Sequence, residues 1–157
     1  MTRETLTDIL LGIGFVLAEV LIFQHLPVFN ATPDPLLVFL LWLALKYDRF
    51  KLVLFAASLG FLQDALFETW GLNMFSKTLL CFWAFNFLKR NSERQLITWQ
   101  IFLIIYVAAI FHNLIFLGLS SFIAAYATGY YPIIFVLISS LYTALIGTMI
   151  YIFKGDL

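Results

Sequence analysis

The chain has 157 residues, 63% of them hydrophobic and only 11% charged, with nine basic and nine acidic side chains that cancel to a formal net charge of +0. An ordinary soluble domain is nearer half apolar and a quarter charged, so the excess apolar surface has to face lipid. The neutral balance gives no basic stripe for nucleic acid, and the single cysteine, Cys81, lies inside an apolar run, which excludes a disulfide framework or a cysteine-based metal motif.

A bilayer core of about 30 Å takes roughly 20 helical residues. The apolar runs predict an all-α, polytopic bundle of six transmembrane helices in one membrane domain, 1–157, with spans over 6–26, 35–46, 52–67, 72–88, 96–122 and 132–153. Without water to satisfy backbone groups, such runs must be helical. The first run carries no small-x-small cleavage site and is followed by further spans, so it is expected to be a span and not a cleaved signal. The second is short. Its clean apolar part, 36–45, follows Pro33-Asp34-Pro35, which cannot continue a helix upstream. Either it crosses while the proline-rich stretch completes the span, or it is re-entrant and strands Arg3 on the outside. Crossing puts non-helical backbone around 27–35 at membrane depth, which is tolerated only under protein or beside a wet cavity. Gly71 separates the third and fourth runs, the polar stretch 89–94 separates the fourth and fifth, and 129–132 precedes the sixth.

The basic residues fall in every second gap. Arg3 precedes the first run; Lys46, Arg49 and Lys51 follow the second; Lys89, Arg90 and Arg94 follow the fourth; Lys154 follows the sixth. The gaps 27–35, 68–73 and 123–131 contain neither Lys nor Arg. Basic residues near span ends stay cytoplasmic, so the pattern predicts six crossings with both termini inside. Trp70, Tyr126, Tyr130 and Tyr131 then form an outer aromatic belt, and Tyr47, Trp99 and Tyr151 an inner one.

Few polar residues interrupt the spans: Glu19, Gln24, His25, Gln63, Asp64, Lys77, Asn86, His112 and Asn113. Asp64 lies about a turn below the outer end of the third helix, and Lys77 lies at nearly the same depth on the fourth. Since a lone charge costs about 2.5–3.5 kcal/mol at mid-membrane, an Asp64–Lys77 ion pair is expected. Glu19, Gln63, His112 and Asn113 share the outer half. They form either a cavity open to the outside or a hydrogen-bonded network that locks helices together. His112 has no second histidine at helical spacing and no acid at i+4, so no metal site is expected, and His25 should be interfacial. Gly14-x3-Ala18 and Ala56-x3-Gly60-x3-Asp64 are small-residue stripes that permit close helix approach. Ser120, Ser121, Ser139 and Ser140 are expected to bond back to their own helices or to cap ends. No nucleophile elbow, phosphate loop, dinucleotide fingerprint or zinc-protease motif is present, so neither catalytic nor cofactor-binding residues are expected.

Pro-Asp-Pro-Leu at 33–36, Gly60-x3-Asp64, and Gly71-Leu72-Asn73 opening the fourth helix occur in this order in a chain of this length. The sequence thereby resembles MreD, the rod shape-determining membrane protein family, whose motif positions here are Pro35, Gly60, Asp64, Gly71 and Asn73. The resemblance implies a non-enzymatic scaffold of the cell-wall elongation complex in the bacterial inner membrane, without cofactor. Its implied partner is MreC, and through it the RodA glycosyltransferase, a class B penicillin-binding transpeptidase and MreB filaments. The family is also similar in helix layout to the substrate-binding S components of vitamin transporters. In that rival reading Glu19, Asp64, Lys77 and His112 line a ligand pocket.

Overall fold

The computed structural model describes residues 3–92, 95–123 and 132–155. It contains α1 (Arg3–Leu21), a 3-10 turn (Phe23–His25), α2 (Pro35–Lys46), α3 (Arg49–Phe67), α4 (Leu72–Asn91), α5 (Thr98–Ser120) and α6 (Pro132–Gly155), with no strand among the described residues. Helices α1, α3, α5 and α6 are each long and apolar enough to cross a membrane. The first helix starts earlier and ends sooner than its apolar run suggests, because the chain turns at 22–26 while still hydrophobic. Arg94, Tyr126, Thr128, Gly129, Tyr130 and Tyr131 lie outside the described residues.

The short second segment is the axis of the bundle. Helix α2 touches all five other helices, and every residue from Pro35 to Leu41, with Leu43 and Ala44, is buried. A helix that is apolar all round belongs in an interior, and here the interior is made of protein. At 1.5 Å per residue its 12 residues cover only about 18 Å. Pro35 at the first helical position and Asp34 as N-cap start it, Asp34 Oδ1 accepting from Leu37 N–H at 2.9 Å.

Contacts fix the directions. Arg49 bonds Asn86 and Gly60 abuts Met74, so α3 and α4 are antiparallel. Asn113 bonds Ser140 and Gly147 abuts Ile105, so α5 and α6 are too. Asp34 meets Lys77 while Lys89 reaches the Leu45 carbonyl, so α2 runs parallel to α4. Helix α1 lies antiparallel to α2, with Asp8 beside Lys46 and Gly12 against Phe39. The described basic residues of the inter-helix segments therefore collect at one end, called here the basic end.

The stretch before α2 is covered where it goes deep. Val28 and Ala31 exchange two backbone hydrogen bonds of 2.9 Å around Phe29 and Asn30, both at positive φ; Val28 to Asn30 are exposed and Ala31 is buried. Beyond it Pro33 and Asp34 are buried. Two side chains of α6 serve their backbone: Ser139 Oγ donates to Thr32 C=O at 2.9 Å, and Thr143 Oγ1 accepts from Asp34 N–H at 3.0 Å. Non-helical backbone at this depth is thus satisfied by protein.

Candidate functional site

Lys77 is fully buried on α4, and its Nζ lies 2.5 Å from Asp34 Oδ2. This replaces the expected Asp64–Lys77 pair. The expectation assumed that the nearest acid in sequence and depth would be the partner, yet the start of α2 dips inward and presents its N-cap carboxylate to α4. Asp34 divides its oxygens, Oδ1 to the cap and Oδ2 to Lys77. Asn73 Oδ1 also accepts from Lys77 at 3.3 Å.

His112 of α5 closes the cluster. Its Nε2 lies 3.0 Å from Ser76 Oγ, which gives its own hydrogen to Leu72 C=O at 2.7 Å. The Lys77 ammonium lies 3.4 Å from the same Nε2, so the donor and acceptor roles of Nε2 and Nδ1 follow the imidazole tautomer. That Nδ1 is buried without a hydrogen-bond partner, 3.8 Å from Asp34 Oδ2.

Asp64 instead builds the α3–α4 turn. Its Oδ1 accepts from Asn73 N–H at 3.0 Å and from Thr69 Oγ1, and its Oδ2 accepts from Met74 N–H at 2.8 Å. A carboxylate on the last turn of one helix thus caps the first turn of the next, where the free N–H groups and helix dipole favour negative charge. Gly60 makes the approach possible: a Cβ there would stand 2.7 Å from Met74 Cα. Gly71, at φ +92°, supplies the left-handed turn. The family-like motif positions Gly60, Asp64, Gly71 and Asn73 are therefore parts of one hairpin, and Pro35 starts the helix that Lys77 anchors.

The other sequence-selected residues disperse. Glu19 of α1 is buried and accepts from Gln63 Nε2 of α3 at 2.7 Å, while Glu19 Oε2 and Gln63 Oε1 are buried without partners. Asn113 bonds Ser140 at 3.0 Å, tying α5 to α6. Ser120 and Ser121 bond back to Leu117 as expected, whereas Ser139 and Ser140 bridge to other elements. Ala56 is buried with Gly60, but Gly14 has nothing among the described residues within 4 Å of a would-be Cβ and Ala18 is only partly covered, so Gly14 is not a close-approach point there. The close approach on α1 occurs at Gly12, against Leu59 and Phe39.

Asp34, Ser76, Ser139 and Thr143 were not legible as site residues. A proline-flanked acid heading an apolar helix is the one signal that marks Asp34. At the basic end, Asp8 was missed too: its Oδ2 receives Lys46 Nζ at 2.6 Å and Tyr47 Oη at 2.5 Å. Burial, with that hydrogen bond, raises the Tyr47 phenol above its ordinary value.

Chemically, the cluster neutralises one buried charge with another and hydrogen-bonds most of what remains. No group of three or more His, Cys, Asp or Glu among the described residues could hold a metal. The family described as rod shape-determining protein MreD matches the chain over residues 3–154. No curated protein and no solved structure matches it.

Proposed function

The chain belongs to the rod shape-determining MreD family, and from this premise we propose that it is a non-enzymatic scaffold of the cell-wall elongation complex. It sits as a single six-crossing domain in the bacterial inner membrane, with the basic end and both termini cytoplasmic. Its direct partner is MreC, through which it is linked to RodA, a class B penicillin-binding transpeptidase and MreB.

The observation that supports a scaffold is how the polar side chains are spent. Glu19, Asp64, Lys77 and His112 are all buried and held by internal partners: Glu19 by Gln63, Asp64 by the α4 N-terminus, and Lys77 and His112 together with Asp34 and Ser76. These bonds fix helix positions. A carrier of small polar ligands would instead point such groups into a shared wet pocket. With outward faces rich in exposed Leu, Ile and Phe, recognition of partners falls to helix packing within the bilayer.

Affinity purification from native membranes in mild detergent should recover MreC, and depletion in a rod-shaped host should give rounded, widening cells. Cells that stay rods, with a purified complex containing transporter ATPases and a bound vitamin, would replace this reading with the carrier. For orientation, cysteine at Trp70 should react with an impermeant thiol reagent from outside and cysteine at Lys51 should not. The reverse pattern inverts the topology.

A further inference from the structure

A deep cleft among the described residues is unrelated to the buried ion pair. About 870 Å³ in volume, it lies toward the basic end between α1, α2, α5 and α6, beside the end of α4. That is within the usual range for pockets that hold a ligand. Its walls are apolar, with Phe15, Trp42, Leu88 and Ile105 among them, and its polar lining, including Gln95, Tyr151 and Lys154, is contributed by residues near the helix ends. Amphipathic division of this kind matches a molecule with chains at one end and a polar head at the other.

The charges at the mouth give the sign of that head. Lys154 Nζ stands 3.3 Å from the Trp42 ring centroid and makes no ion pair among the described residues. Lys46 Nζ lies 5.6 Å from the same ring, but Asp8 neutralises it. Lys89 Nζ donates to the carbonyl of Leu45, another lining residue, and likewise pairs with no carboxylate among the described residues. Among the described residues, two ammonium groups with no carboxylate within ion-pair distance thus stand beside an apolar cleft. The lining is weighted toward the basic end: 101–105 on α5 and 147–154 on α6 lie in the half nearest it, and on α1 and α2 it reaches no further than Phe15 and Val38. A spanning partner helix needs a seat through the whole bilayer, whereas a lipid needs the depth of one leaflet.

We propose that this cleft is a binding site for an anionic glycerophospholipid of the leaflet at the basic end, with its acyl chains between α1 and α6 and its phosphate at Lys154 and Lys89. Basic pockets between transmembrane helices are suited to such headgroups. Occupancy would fill the space between α1 and α6, both of which pack on α2, and would brace them against each other.

The full chain in nanodiscs of equal phosphatidylglycerol and phosphatidylcholine, ejected into a native mass spectrometer, reads the lipids retained. Phosphatidylglycerol adducts should exceed phosphatidylcholine adducts, and Lys154→Gln should reduce that preference by about 5-fold, the size expected for one basic residue at an anionic surface. Lys51→Gln, exposed at the same end but outside the lining, should leave it unchanged. Leu11→Trp, at an exposed lining position, should lower retention of both lipids without lowering the melting temperature. Equal retention of the two lipids, equal effects of the two lysine changes, or an inert Leu11→Trp each overturn the proposal. A photo-crosslinker at position 11 that captures a protein in native membranes, and not lipid, assigns the cleft to a partner helix instead.

Discussion

Helix α2 is held by an ion pair at each end, and the two differ in kind. At its start, Asp34 and Lys77 meet in the interior with side chains 13% and 0% exposed. At its finish, Lys46 meets Asp8 with the lysine side chain 30% exposed. Both pairs put an acid at the helix N-terminus or a base at its C-terminus, as the helix dipole favours. Only the first is sealed from water. A sealed pair gains little over an apolar filling but punishes the loss of one partner, whereas a wet pair is screened and replaceable by solvent. Position is specified at one end and merely favoured at the other.

The sharpest test of that contrast is a double-mutant cycle at the sealed end. Lys77→Met alone should cost about 3–5 kcal/mol, since it strands a buried carboxylate. Asp34→Asn keeps a capping side chain but strands the ammonium. The double change should cost less than the sum, read as thermal or denaturant unfolding in detergent. Additivity would remove the sealed pair from the account.

Asp64→Ala comes next, at about 2 kcal/mol for the lost cap of α4. Its coupling to Lys77→Met should be smaller than that of Asp34→Asn, because Asp64 is spent on the hairpin. A larger coupling would restore the Asp64–Lys77 pair that the sequence suggested.

Gly60→Ala drives a methyl into Met74 backbone and should destabilise by about 1–2 kcal/mol, an overpacking cost. Gly14→Ala meets nothing and should be neutral or stabilising by up to about 1 kcal/mol, through helix propensity. Equal losses at the two glycines would mean that the α1 stripe is packed after all.

The smallest effect belongs to the wet end. Lys46→Met should lower the melting temperature less than Lys77→Met, and the loss should shrink as salt is added. A salt-independent loss as large as that of Lys77→Met would abolish the distinction between the ends.

The sequence by itself determined that this is a helical membrane bundle, where its helices lie and how its basic residues alternate. Those properties follow from local hydrophobicity and from the length of chain needed to cross a bilayer. It also marked the hairpin residues Gly60, Asp64 and Gly71, which are close together in the chain. Only the tertiary structure decided that Lys77 takes Asp34, 43 residues away, that Glu19 takes Gln63, and that the shortest helix is the axis. Helical periodicity could not foresee these pairings, because in so apolar a chain nearly every helix face looks alike. Depth along a helix can be counted from sequence, but which neighbour stands at that depth depends on how the helices rotate and where the chain between α1 and α2 turns inward.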